Sequence, residues 1–135
     1  MGSVAVKLLL DTLIRLWSLL DPARITHKVA AELEDLSNEL WLSPISIWEF
    51  LIHVEKGRIV LKMEPREWIR DVFSKIAFNE APINREVAIQ SRFLQLPLKD
   101  PADRFLIATA LVFDLTLVTA DEGLIRSGSR ILANN

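Results

Sequence analysis

The stretch from Lys7 to Leu10 is mostly apolar and ends at Asp11 and Thr12; a helical pattern then runs from Leu13 to Leu20 until Asp21-Pro22 stops it. The change of period predicts a strand followed by a helix. From Ile25 to Glu39 the apolar residues Ile25, Val29, Leu33 and Leu36 recur at three- and four-residue steps, with His27, Lys28, Glu32, Glu34 and Asp35 between them. That is the pattern of an amphipathic surface helix. Leu40 to Ser43 predicts a brief strand, and Ser43-Pro44 opens a helix to about Glu55 that Lys56-Gly57-Arg58 closes. Glu64-Pro65 opens another, to about Ala77. Phe78 to Ile83 reads as a weak strand and Asn84 to Leu94 as a helix. Asp100-Pro101-Ala102-Asp103 is a sharp start signal for a helix to Phe113, with Asp100 as its N-cap. The β-branched run Leu115 to Thr119 predicts a strand, Glu122 to Arg126 a short helix, and Arg130 to Leu132 a last strand.

Strands alternating with helices predict an α/β fold, and strands that are apolar throughout fit an open parallel sheet covered on both faces. At 135 residues, half of them apolar and a quarter charged, the chain is expected to form one domain over 1–135 with a real core. Its net charge of −2 excludes binding to nucleic acid through overall basic character, although a local basic patch remains open. The absence of cysteine excludes disulfides, thiolate nucleophiles and cysteine-ligated zinc. With only His27 and His53 present, a histidine-rich metal site is nearly excluded too. The early charges rule against a secretory signal, and the longest apolar run, Phe105 to Phe113, is too short to span a bilayer. The expectation is a cytoplasmic protein with no membrane contact.

In parallel α/β sheets ligands gather at the carboxyl ends of strands, so polar residues just beyond each predicted strand are the candidates. Asp11 follows the first strand and Asp121 the strand ending at Thr119, while Glu49 and Asp103 fall in the early turns of helices. Each has a structural alternative. Asp11 reads equally as an N-cap, Asp103 as a charge favouring its helix dipole, and Thr119-Ala120-Asp121-Glu122 and Ser46-Ile47-Trp48-Glu49 as capping boxes. Glu49 is the hardest to dismiss, because Ile45, Ile47, Trp48, Phe50, Leu51 and Ile52 make its helix apolar almost all round, where a lone carboxylate is costly. Several carboxylates without cysteine or histidine chemistry select a hard cation with oxygen ligands, Mg²⁺ or Mn²⁺, and such ions suit phosphoester substrates.

The segments Leu8-Leu9-Leu10-Asp11-Thr12, Ser43-Pro44-Ile45-Ser46-Ile47-Trp48-Glu49, Asp100-Pro101-Ala102-Asp103-Arg104 and Leu117-Val118-Thr119-Ala120-Asp121-Glu122 resemble, in order, the motifs of VapC-type toxins of the PIN-domain ribonucleases. The resemblance covers nearly the whole chain. It implies a three-layer α/β/α sandwich with a central, mostly parallel sheet of four or five strands. It also implies a Mg²⁺- or Mn²⁺-dependent endoribonuclease acting on RNA and an inhibiting antitoxin partner. By motif position the acidic site falls on Asp11, Glu49, Asp103 and Asp121, as metal-binding and catalytic residues, with Thr12, Ser46 and Thr119 as supporting polar neighbours that orient ligands or water. Many relatives carry histidines where this chain has Leu13 and Leu98-Lys99, which bears on substrate positioning.

Arg15, Lys56, Arg58, Lys99 and Arg104 are the candidate contacts to RNA phosphate, against the reading of Lys and Arg as solvated helix ends; Arg104 could instead pair with an acid. Trp17, Trp41, Trp48 and Trp68 are expected in the core, and His53 as a satisfied histidine. Positive mean hydropathy in so short a chain predicts apolar surface in excess of one core, covered by a homodimer or a partner helix, with Trp17 and Leu20 of the first two helices foremost. Two rival functions stand beside the nuclease. One is a catalytically weak interaction or RNA-binding protein on the same fold. The other is a doubly wound phosphatase, which would want a second acid where Leu13 sits.

Overall fold

The short apolar runs pair side by side in one direction. In the computed structural model, which describes residues 5–135 except the side chains of Leu13, Arg15 and Leu16, the strands are β1 (Lys7–Leu10), β2 (Glu39–Leu42), β3 (Asn79–Glu80), β4 (Thr116–Thr119) and β5 (Ile131–Ala133). They form a parallel sheet in the order β3-β2-β1-β4-β5. Leu8 is level with Leu40 and Thr116, and Leu9 with Trp41 and Leu117. The helices are α1 (Thr12–Leu20), α2 (His27–Glu34), α3 (Pro44–Glu55), α4 (Pro65–Lys75), α5 (Arg85–Phe93), α6 (Pro101–Phe113) and α7 (Glu122–Ile125).

Alternate residues of the central strands feed two cores. Leu9 and Leu117 pack with Leu106, Ile107 and Ala110 of α6 and Leu124 of α7 on one face; Leu8, Leu10, Leu42 and Val118 pack with Ile14 of α1 and Val29 of α2 on the other. Each buried leucine contributes roughly 1.5–3 kcal/mol of transfer free energy, and covering both faces explains why the strands show no polar alternation. The result is the expected α/β/α sandwich with five strands. Among the described residues no helix is long and apolar enough to cross a membrane.

The chain leaves β1 toward β2 and later returns to β4 on the opposite side of β1, so the connections after these two neighbours diverge at their carboxyl ends and leave a crevice there. Two expected boundaries differ. The helix predicted over Ile25 to Glu39 is only α2, preceded by a 3₁₀ turn at Pro22–Arg24. It stops because Asp35 turns the chain, its carboxylate accepting from the Ser37 amide at 3.0 Å and hydroxyl at 2.7 Å. Asn38 then ties the turn down, donating to the Glu32 carbonyl at 2.9 Å and accepting from the Val6 amide at 2.9 Å. Leu36, counted in the apolar stripe, is fully exposed. The strand predicted over Phe78 to Ile83 shrinks to the two residues of β3 at the sheet edge.

Candidate active site at the carboxyl ends of the strands

Asp11 ends β1 in extended conformation, its amide donating to the Val118 carbonyl at 3.0 Å and so continuing the ladder with β4. It occupies the N-cap position of α1, but its side chain makes no capping bond. Instead Oδ2 accepts from the Thr119 hydroxyl at 2.7 Å, while Thr119 Oγ1 accepts from the Asp121 amide at 3.0 Å. Because that amide occupies the oxygen as a donor, the hydroxyl's single proton is directed at Asp11. Asp11 is 8% exposed. Burial raises its pKa, the bonds from Thr119 and the Thr12 amide pull it back, and the charge of Asp121 adds to the rise. The capping alternative therefore does not describe Asp11.

Thr12 and Ser46, both buried, stitch α1 to α3: the Thr12 hydroxyl donates to the Ser46 carbonyl at 3.1 Å and the Ser46 hydroxyl reaches the Leu10 carbonyl at 3.5 Å. The N-cap of α3 is Ser43, which accepts from the Ile45 amide, so Ser46 to Glu49 is no capping box. Glu49 projects half-buried from α3, and its pKa is pushed up to about 7, first by burial and then by the charges of Asp11, Asp100, Asp103 and Asp121. Asp103, half-buried in the first turn of α6, is pushed up to about 6 by burial and by Asp100, Asp121 and Asp11. Asp121 is exposed and caps α7 by accepting from the Leu124 amide at 3.0 Å. A side chain at position 123 would come within 3.2 Å of the capping Oδ1, and Gly123 leaves it room. For Asp121 the capping alternative holds, and its charge still reaches the other acids.

The structure thus gathers the charges of all four predicted acids and adds Asp100, whose Oδ1 caps α6 by accepting from the Ala102 amide at 2.9 Å. Its part in the field was missed, although the three-residue spacing of Asp100 and Asp103 carried the signal. Among the described residues no lysine or arginine offsets these shifts. Among the described residues, however, no three of the acids converge closely enough to hold an ion as their side chains stand.

The basic candidates lie elsewhere. Arg104 departs from expectation: it makes no ion pair with an acid, and its guanidinium donates to the carbonyls of Ser91 at 2.8 Å, Leu94 at 3.0 Å, Leu96 at 3.2 Å and Leu98 at 3.0 Å. Those carbonyls belong to the end of α5 and the extended connector before α6, whose leucines point into the core. Arg104 satisfies backbone groups that lack a neighbouring strand. Lys56 and Lys99 are exposed, Arg58 folds over His53, and the Arg15 side chain lies outside the described residues. Trp41 stacks on Phe113, Trp68 on Phe50, and Trp17 lies 4.5 Å beneath the Arg24 guanidinium. Trp48 is 55% exposed and departs from the expected core placement.

Between α1, α3 and α4 opens an apolar cleft walled by Leu19, Ile47, Phe50, Ile69, Val72 and Phe73, with Ser46 and Thr12, the residue after Asp11, on its lining.

A family model described as "PIN domain" matches residues 8–128. Among solved structures, VapBC2 from Rickettsia felis bound to a promoter DNA fragment superposes with a TM-score of 0.71 at 16% identity, covering 96% of this chain and 100% of that one. A toxin-antitoxin complex from Klebsiella pneumoniae gives 0.68 at 22% identity over 94% and 97%. DNA-bound VapBC from Salmonella typhimurium gives 0.69 at 18% over 96% and 99%. At these identities the likeness is one of fold. No curated protein sequence matches the chain.

Proposed function

Because the chain belongs to the PIN domain family, we propose that it is the toxin of a type II toxin-antitoxin pair, a VapC-type, metal-dependent endoribonuclease of the cytoplasm. The observation that carries the reading is the mutual electrostatic reach of Asp11, Glu49, Asp103 and Asp121. Separate segments bring these four carboxylates within electrostatic reach of one another, and among the described residues no cation offsets them. An all-oxygen donor set fits a hard divalent ion. The side chains as placed do not converge among the described residues; Glu49 and Asp103 are half-exposed, whereas Asp11 is buried and held by Thr119. Asp11, Glu49, Asp103 and Asp121 would hold Mg²⁺ or Mn²⁺, which when bound supplies Lewis-acid activation of water and of the phosphodiester. The chain's own contribution is orientation: the Thr119 hydroxyl, itself accepting from the Asp121 amide, holds one oxygen of Asp11, while the early turns of α3 and α6 carry Glu49 and Asp103.

The cleft supports an antitoxin partner. It is apolar and open, and Thr12 on its lining directly follows Asp11 in the chain, which supports a partner segment lying in it close to the site. Leu20, 54% exposed at the end of α1, supports a homodimer or partner contact by the first helices. The same cleft is the observation favouring the alternative, a PIN-fold interaction protein without strong catalysis.

Cleavage of total RNA in Mg²⁺, Mn²⁺ or EDTA separates the two. The nuclease reading expects metal-dependent cleavage that Asp103→Asn abolishes while the fold is kept, since losing a like charge relieves repulsion. Asp100→Asn, which preserves the cap, should retain it. Equal loss in both variants, or no cleavage by the wild type in either metal, overturns the assignment.

A further inference from the structure

The carboxyl end of α3 carries a second constellation, one helical turn from Glu49. Lys56 caps the helix, Gly57 takes a left-handed conformation at φ 72°, and the Arg58 amide returns to the His53 carbonyl at 2.9 Å while the Gly57 amide returns to the Val54 carbonyl at 3.0 Å. This glycine-dependent reversal folds Arg58 back along the helix it has just left. Its Nη1 then sits 3.4 Å from His53 Nδ1. A guanidinium has no acceptor, so in this contact Nδ1 is the acceptor. His53 is half-buried and lies four residues beyond Glu49 on the same helix face, with about 5–6 Å between the two Cβ positions.

Among the described residues Arg58 pairs with no acid. The ion pairs there join Arg24 to Asp21, Lys75 to Asp71, Arg126 to Glu122 and Arg130 to Asp114. Its guanidinium meets the imidazole of His53 instead. An exposed guanidinium that spends one N–H on the imidazole keeps its other N–H groups free for an oxyanion, with His53 setting its direction. We infer that Arg58, positioned by His53, forms a phosphodiester-binding site for a single-stranded RNA backbone, gripping a phosphate outside the bond cut at the acids. The inference rests on the nuclease reading above. It supplies positive charge that Arg104, committed to backbone carbonyls, does not.

The test measures binding of a fluorescein-labelled single-stranded RNA by the Asp103→Asn protein across a series of salt concentrations. Removing one phosphate contact lowers the slope of log affinity against log salt by about 0.7. Arg58→Ala and Arg58→Gln should both show that loss, and Arg58→Lys should keep the slope. Glutamine is the control that matters, because it can still donate to His53 Nδ1: a merely structural Arg58 would be rescued by it, and a phosphate contact would not. His53→Ala should weaken binding roughly two- to tenfold at every salt concentration without changing the slope, as loss of a neutral hydrogen bond does. An unchanged slope in Arg58→Gln overturns the site, and so does a change confined to oligomeric state or antitoxin capture. If the parent binds no RNA, the nuclease reading fails and this site fails with it. RNA binding that is insensitive to Arg58 removes the site alone.

Discussion

Replacing Thr119 with valine removes one hydroxyl and almost nothing else, and the geometry says what that hydroxyl is worth. It donates to Asp11 Oδ2 at 2.7 Å inside a buried site and accepts from the Asp121 amide at 3.0 Å. A buried hydrogen bond to a charged group contributes about 1.5–3 kcal/mol. The Asp121 amide belongs to an exposed residue, where water can replace its partner, so its loss adds only about 0.5 kcal/mol. The expected cost is therefore roughly 2–3.5 kcal/mol at pH 8. For a chain of 135 residues at about 2.1 cal/mol/K per residue, that lowers Tm by about 7–12 °C.

The sign of the pH dependence separates this account from simple loss of packing. Thr119 favours the charged form of Asp11, so deleting it raises the Asp11 pKa further above its ordinary range. The cost is present while Asp11 is ionised and shrinks as pH falls and the carboxyl is protonated in the folded protein. Urea melts of wild type, Thr119→Val, Asp11→Asn and the double variant at pH 5 and pH 8 close a double-mutant cycle. A coupling between the two positions of under about 0.5 kcal/mol at pH 8, or a Thr119→Val cost that does not change with pH, would refute the view that this hydroxyl holds Asp11.

The acids also set the pH profile of the whole fold. Glu49 at about 7 and Asp103 at about 6 both lie above their ordinary values, so between about pH 4 and pH 7 the folded chain binds more protons than the unfolded one, and stability should decline as pH rises through that window. Urea midpoints that climb from pH 5 to pH 8 would contradict it. At pH 8, Mg²⁺ or Mn²⁺ at ten times Kd should add about 1.4 kcal/mol, a few degrees of Tm, with Mn²⁺ acting at lower concentration. Asp11→Asn should shrink the shift. Thermal melts at constant ionic strength check this, and a shift no larger than that from monovalent salt would leave the acids without an ion-binding role.

Much of the sheet was legible because its strands are covered on both faces. Leu8-Leu9-Leu10 and Leu117-Val118 feed opposite cores with successive residues, and such runs need no polar alternation to be seen. The acids were legible for a related reason: a charge that directly follows a buried strand, as Asp11 does, has to be explained. Leu36 misled because it fits the stripe of α2 while the carboxylate of Asp35 had already turned the chain, and periodicity does not register a side chain competing with the helix for the backbone. Arg104 misled for the opposite reason. Its position beside Asp103 suggested electrostatics, but carbonyls of a strand-like connector with no neighbour make no mark on a sequence, and only the folded path of residues 94–98 shows that one guanidinium replaces a missing strand.

Thr119 falls between these cases. Its side chain meets Asp11 across 108 positions of sequence, a contact that exists only because β4 returns beside β1 in parallel register, Leu10 level with Val118. The same register brings the Asp121 amide onto the threonine oxygen. One turn of backbone after β4 therefore does three things: it fixes the hydroxyl proton, steadies the most buried carboxylate, and frees the Asp121 side chain to cap α7. Burial of Asp11 and the crowding of Glu49 and Asp103 both disfavour ionisation, and of the contacts around Asp11 the Thr119 bond is the strongest opposing influence. Apolar residues in their place would cost the fold none of this repulsion. Under the metal-dependent reading proposed above, the hydroxyl that keeps Asp11 charged is what prepares the most buried of these acids to meet a cation.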